Sequence, residues 1–406
     1  MRRIPVLRER PDWEKIIAEE NLVYDLYDED DKEHYWNENF VYCFSQLEHS
    51  DIVQQVEELH RLCIDAIDDI AAGTYGHLGL PAPMFRLARD SWSAHRENPE
   101  AEMDLYGRFD VIRDAENGAV KLLEYNADTP TSLVESAVCQ DTHFLFHFGD
   151  DPRFIQPTRL GDALIDRWEE IRLARTGRFG YVDNTLYCAC VRDDEYGEDE
   201  VSTKLIQHTA QMAGWRTHFM RMEDIVFDTE LRRFEDQEGY PIQSIFKLYP
   251  WEDIGLDEFA DYTIETYPST AWFEPAWKMF LSTKHLLAIL WHRNPGHPNL
   301  VPAYVGSPQD LRHYVRKPIF GREGAGIEIV DDGHRVAGDP EDWDASECVF
   351  QEFIDTKDVF GGTANFHPVI GAWIVGGKFA GYSIRESDGL ITDDSARFTP
   401  AIVEQF

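Results

Sequence analysis

Two short segments, 106-YGRFDVIRD-114 and 122-LLEYNADTPTS-132, alternate side chains with a period of two, and a turn signal, 114-DAENG-118, lies between them. Such a pattern predicts an antiparallel hairpin, and a hairpin fixes which side chains meet. One face collects Phe109, Val111, Leu123, Tyr125 and Ala127; the other collects Arg108, Asp110, Ile112, Leu122, Glu124, Asn126 and Asp128. The register depends on the turn. A two-residue loop at Asn117-Gly118 sets Asp110 opposite Tyr125, whereas a three-residue loop with Gly118 left-handed pairs Ala115 with Ala119 and sets Asp110 across from Glu124 and Arg108 across from Asn126. The three-residue loop is the preferred reading. Carboxylates directly opposite each other repel, so this register asks for a cation between them. Asp110, Glu124 and the Asn126 amide oxygen, with no thiol or imidazole, suit a hard ion, Mg²⁺ rather than Zn²⁺, with phosphate oxygens and water completing its shell. The other reading open to these residues is an amphipathic hairpin whose polar face meets solvent.

A chain of 406 residues, 43% hydrophobic and 13% aromatic, can fill one large core or two to three ordinary ones. Its 38 basic against 76 acidic residues give a net charge of −38, which disfavours nucleic acid and anionic membranes as partners and favours small-molecule substrates that include a cation such as a polyamine. The same acidity also serves solubility alone. The N-terminal MRRIPVLRERPDW lacks the apolar core of a secretory signal, and no apolar run reaches the ~20 residues of a membrane span. Six scattered cysteines without CxxC spacing fit reduced thiols, so a cytoplasmic protein is expected. Cys188 and Cys190 share a strand face and are expected to pack there.

Residues 13–75 read as a helical opening, centred on 51-DIVQQVEELHRLCIDAIDDIAAG-73 with Gly73 as its stop. The segment 131–148 reads as a helix that Thr129 or Thr131 can cap, its N-terminus aimed at the polar face of the hairpin. From residue 181 onward, strand and helix alternate (186–191, 200–213, 215–220, 243–252), as in an α/β domain. The acidic loop 193-DDEYGEDE-200 is either solvated or a docking site for an amine, with Glu198 and Asp199 as candidates. A further helix is expected over 275–293, carrying Lys278 and Lys284, followed by a Pro-rich connector at 294–308.

The segment 314-YVRKPIFGREGAGIEIV-330 reads as strand, glycine-rich loop and strand. Gly321, Gly324 and Gly326 let backbone amides approach phosphate oxygens, and Lys317 and Arg322 add positive charge. Neither the P-loop nor the GxGxxG spacing is present, so the expectation is a glycine hairpin that folds over a nucleotide, with a plain mobile hairpin as the alternative. Further on, 348-CVFQEFI-354 has the form of a hinge that can bond an adenine edge, and 369–387 reads as two strands joined near Gly376-Gly377 with Arg385 near the end.

Taken together, RFD at 108–110, EYNADT at 124–129, 282-STKHLLAILW-291, KPIFGREGA at 317–325 and 371-GAWIVGGKFAGYSIRE-386 resemble the synthetase part of the glutathionylspermidine synthase family, from residue 20 to the C-terminus. The resemblance implies a mixed α/β, ATP-grasp fold with a preATP-grasp portion. In this division 1–105 is a helical N-terminal part, 106–180 the metal and acid-substrate hairpin with its helix, 181–308 a preATP-grasp-like subdomain with connector, and 309–406 the nucleotide-binding lid and C-terminal part. It implies an ATP-dependent acid–amine ligase: Asp110, Glu124 and Asn126 for Mg²⁺; Lys284, Lys317, Gly321 and Gly324 for ATP phosphates; Gln351, Glu352, Phe353 and Ile354 for adenine. Arg108, Thr129, Thr131 and Arg385 would grip the acid substrate or the transferred phosphate. Phosphotransfer without ligation and a non-catalytic nucleotide-binding role are the rival classes. Three departures follow from the same comparison. The chain has no room for the family's Cys/His amidase domain, so hydrolysis of the product is not expected. Gly326 stands where relatives often have Asn, and Arg397 falls where polyamine-binding members are expected to present acid.

Overall fold

The computed structural model of the chain describes residues 1–23, 27–28, 33–114, 117–179, 183–194, 196–322, 324–338, 347–354, 366–393 and 396–405. A capping box opens the long N-terminal helix Gln46–Ala71: Ser45 Oγ accepts from the Glu48 N–H and the Glu48 carboxylate accepts from the Ser45 N–H at 2.8 Å. Ile52, Val56, Leu59, Cys63, Ile67 and Ile70 form its buried stripe, and the chain leaves the helix through Gly73 at φ +81°. The N-terminal region is not all helix, since Arg2–Pro5 and Phe40–Ser45 join Ala401–Glu404 and Phe154–Ile155 in a small sheet.

Among the described residues, three larger sheets position the site. The central one is antiparallel and runs Arg397–Thr399, Lys378–Ser387, His367–Val375, Tyr106–Arg113, Val120–Asn126. The expected strand pair at 369–387 is present, turning at Gly376 and Gly377, and it pairs with the acidic hairpin, setting Gly371 beside Asp110 and Trp373 beside Arg108. A Cβ on Gly371 would lie 3.2 Å from Arg108 Cδ, so the missing side chain is what lets this guanidinium lie across the sheet.

The second sheet is parallel, in the order Ala271–Phe273, Ser244–Leu248, Thr185–Cys190, Arg216–Arg221, with helix Glu198–Met212 packed on it. Cys188 and Cys190 are buried in its core, and all six cysteines are free and buried. The third is antiparallel and runs Ala303–Val305, Cys348–Glu352, His313–Pro318, Glu328–Asp331, His334–Gly338, with the glycine loop joining its third and fourth strands. Residues 309–406 therefore contribute to several sheets.

Two expectations about helices change. The segment 275–293 is broken into Ala276–Lys278, Met279–Ser282 and His285–Arg293, because Thr283 is extended and the Lys284 N–H bonds Ile319 O at 3.0 Å on the glycine hairpin. Helix formation after the hairpin begins at Leu133, after Ser132 at φ +66°, and continues as a π-turn over Glu135–Cys139 without a side-chain cap, so neither Thr129 nor Thr131 caps it. No helix among the described residues is long and apolar enough to cross a membrane.

Candidate active site

The hairpin has the expected register where it matters: Asp110 faces Glu124 and Arg108 faces Asn126. The route to it differs. The loop end pairs Arg113 with Val120 and bonds Asp114 to Ala119, one residue out of step with the three-residue loop, and a bulge at Leu123 restores the step. Gly118 is left-handed as expected, at φ +73°, while Ala115 lies outside the described residues. The bulge also exchanges two leucines. Leu122 is buried with Tyr125 and Ala127 in the core, and Leu123 turns to the cavity with Glu124, Asn126 and Asp128.

A cavity of about 440 Å³ opens over this polar face. The C-terminal ends of two parallel strands, the third sheet and its glycine loop close the other sides, which is where α/β sheets place ligands. Arg108, Asp110, Glu124, Asn126, Thr129 and Thr131 line it from the hairpin side. Lys317, Gly321, Gly324, Gln351, Glu352, Phe353 and Ile354 line it from the third sheet, Arg385 from the central one, and Asp199 from the helix Glu198–Met212.

The charges interlock. Arg108 donates to Asp110 at 2.9 Å and to Thr131 O at 2.8 Å, and Asn126 Nδ2 donates to Asp110 at 3.1 Å. Burial works against the Arg108 charge, but Asp110, with help from Glu198 and Glu124, holds the guanidinium above its ordinary pKa. Lys284 reaches in from the helix break to Glu124 at 2.8 Å and Gly321 O at 2.5 Å. The opposition of carboxylates that called for a cation is thus relieved by Arg108 and Lys284, so the metal reading rests on the donor set instead. That set fits a hard ion: two carboxylates and an Asn126 oxygen left available because the amide nitrogen is the atom bonded to Asp110.

Lys317 is buried with two neutral acceptors, Leu123 O at 3.1 Å and Gln351 Oε1 at 2.8 Å. Burial pushes it down to about 8; Glu124 and Asp110 oppose the fall and Lys284 adds to it. Arg385 donates to Asp393 O, and its buried Nε has no partner among the described residues, an unpaired donor in a cavity wall.

Some expected residues have other work. Glu198 is near enough to Arg108 to affect its charge but is not in the cavity wall. Asp194 accepts from the Glu200 N–H at 2.9 Å, satisfying a free donor in the first turn of that helix, and Glu195 lies outside the described residues. Lys278 is fully buried, 3.4 Å from Glu274 and bonded to Tyr106 O at 2.9 Å, a structural cation. Arg397 pairs with Asp388 and Glu386 and is not in the cavity wall. The N–H groups of Glu352 and Phe353 donate to Pro302 O and His313 O, so neither is available to an adenine edge. Sequence reasoning missed Glu252 and Asp253, which line the cavity just beyond the strand Ser244–Leu248; acids immediately after a parallel strand were the available signal.

The profile described as "Glutathionylspermidine synthase preATP-grasp" matches residues 5–404. The chain belongs to the glutathionylspermidine synthase family. A putative acid–amine ligase of Haemophilus influenzae is 34% identical over 98% of this chain and 99% of its own length. Trypanothione synthetase of Crithidia fasciculata is 26% identical over 76% of this chain, which spans about half, 49%, of that protein. The bifunctional glutathionylspermidine synthetase/amidase of Escherichia coli is 22% identical over 89% of the chain and 59% of its own length. A glutathione synthetase-like effector of Globodera pallida superposes with TM-score 0.55 at 12% identity, covering 99% of this chain and 100% of that one, a likeness of fold alone. The fold is ATP-grasp, and the family is one of ATP-dependent, amide-forming acid–amine ligases.

Proposed function

We propose that the chain joins a carboxylate, that of glutathione or a similar peptide, to an amine, with a polyamine as the favoured class, through an acyl phosphate. The observation that carries this reading is the convergence of the acidic hairpin, Lys317 and the glycine loop on one cavity, with Lys284 bonded behind its wall to Glu124 and Gly321 O. Lys284, Lys317 and Arg322 hold the ATP phosphates beneath Gly321 and Gly324, and Gln351 to Ile354 line the adenine pocket through side chains, carbonyls and the Ile354 amide. Asp110, Glu124 and the Asn126 oxygen would hold Mg²⁺, which when bound spreads the charge of the phosphoryl oxygens.

Arg108, Thr129, Thr131 and Arg385 orient the acid. Its carboxylate attacks the γ-phosphorus as ADP leaves, and the fixed cations absorb charge on the phosphoryl oxygens without reorganising. The amine then attacks the acyl carbon, phosphate departs and the nitrogen loses its proton. Asp199 in the wall and the net charge of −38 support a cationic amine. Six buried free thiols support a reducing, cytoplasmic setting. In this division of labour the hairpin region 106–180 handles metal and acid, 181–308 supplies the amine-side wall, and 309–406 covers the nucleotide.

The test is ADP release with Mg²⁺-ATP across a matrix of acids (glutathione, short peptides, amino acids) and amines (spermidine, putrescine, diamines), with mass detection of products. ADP that requires one acid and one amine together, with a condensed product, is expected. A stable phosphorylated acid formed without amine would favour phosphotransfer instead.

A further inference from the structure

Three cations at or beside the cavity are matched to acids, whereas Lys317 has neutral acceptors and Arg385 a backbone carbonyl. Arg108 is on Asp110 and Lys284 is on Glu124, both acids of the proposed metal set. Arg322, on the glycine loop, donates to Glu252 Oε1 at 2.8 Å and lies 3.6 Å from Asp253. Glu252 belongs to no metal set, so a bound ion competes for the partners of Arg108 and Lys284 but not for the partner of Arg322. A phosphate oxygen is the group that can displace Glu252.

The two partners are mounted differently. Glu252 is the second residue of the short helix Trp251–Ile254, whose Trp251 N–H is fixed on Asp128 at 2.9 Å, and Asp128 is bound by the buried Lys247 at 2.7 Å. Its side chain is 17% exposed, while that of Arg322, on a loop between strands, is 50% exposed. A rigid acid therefore holds a movable cation at the cavity wall.

We propose that Glu252 is a positioning residue that holds Arg322 away from the phosphate position and yields it to the phosphates of bound nucleotide. Glu252 retakes Arg322 when the transferred phosphate leaves, releasing the glycine loop and with it ADP. This rests on the nucleotide reading given above.

The experiment measures the Kd for Mg²⁺-ATP by calorimetry, with KM for ATP and kcat, in the full chain and in Glu252→Gln, Asp253→Asn, Arg322→Gln and the Glu252→Gln/Arg322→Gln double variant. Removing the competing carboxylate should tighten Mg²⁺-ATP by about three- to ten-fold, as for a partly exposed ion pair, and lower both KM for ATP and kcat as ADP leaves more slowly. A merely structural defect raises KM. Asp253→Asn, whose carboxylate lies farther from Arg322, should gain less than Glu252→Gln, and the Glu252→Gln gain should vanish in the Arg322→Gln background, since coupled residues are not additive. Weakened or unchanged binding in Glu252→Gln, or a gain that persists without Arg322, overturns the proposal while leaving the nucleotide reading intact. Wild-type chain that does not bind Mg²⁺-ATP overturns both.

Discussion

Lys317→Met separates a group kept for ligand binding from one kept for the fold. Lys317 is 6% exposed, and its ammonium is held down to about 8 from 10.5, chiefly by burial. That depression is worth about 3 kcal/mol against the charged form. Methionine is unbranched and of similar length, but it leaves Leu123 O and Gln351 Oε1 without this donor. Those lost bonds return about 1–3 kcal/mol, so the variant should be as stable as the wild type or up to about 2 kcal/mol more stable at neutral pH. The pH dependence has a definite sign. The folded-state pKa, about 8, lies below the unfolded 10.5, so between those values the unfolded chain binds more protons and wild-type stability rises with pH. The variant lacks that contribution, and its advantage should shrink between about pH 8 and 10.5. Mg²⁺-ATP affinity should meanwhile fall by ~100-fold or more, as phosphate loses a buried cation. Thermal melts across that pH range, with calorimetric titration of Mg²⁺-ATP, decide the matter. A variant destabilised by more than ~2 kcal/mol at pH 7, or binding nucleotide within ~3-fold of wild type, refutes the reasoning.

Lys278→Met should behave oppositely: it strands the buried Glu274 without its cation, while Asp104 keeps Arg167 at 3.1 Å, at a cost of about 3–5 kcal/mol, and an unchanged melting temperature would sink the structural assignment. Glu124→Ala should cut ADP release by about 10³-fold or more by removing a proposed metal ligand, and near-wild-type turnover would count against that role. Asp199→Asn should raise KM for a cationic amine several-fold more than KM for ATP, whereas the exposed Asp193→Asn should change neither; steady-state kinetics with both substrates tests this, and equal effects of the two variants would show that the wall position is irrelevant.

The sequence carried the hairpin's chemistry because alternation and turn chemistry are local. Asp110 meets Glu124 and Arg108 meets Asn126 as the preferred register has them, and Gly118 turns left-handed. The glycine hairpin and the 369–387 strand pair were legible for the same reason. Local pattern could not show the bulge that sends Leu123 rather than Leu122 to the cavity, because a bulge is set by how two strand ends reconcile a longer loop with a fixed register. Nor could it show that the helix expected over 275–293 breaks at Thr283: its apolar periodicity is intact, and the break is made by the Lys284 N–H bonding Ile319 O from a distant hairpin. The partners of Lys284, Lys317 and Arg322 are 160, 34 and 70 residues away. The sequence by itself determined that Arg108, Asp110, Glu124 and Asn126 belong to one hairpin and what chemistry they offer. The tertiary structure decided which charges neutralise one another and which remain for a ligand, because Coulomb and desolvation energies depend on through-space distance and burial, and neither is a property of spacing along the chain.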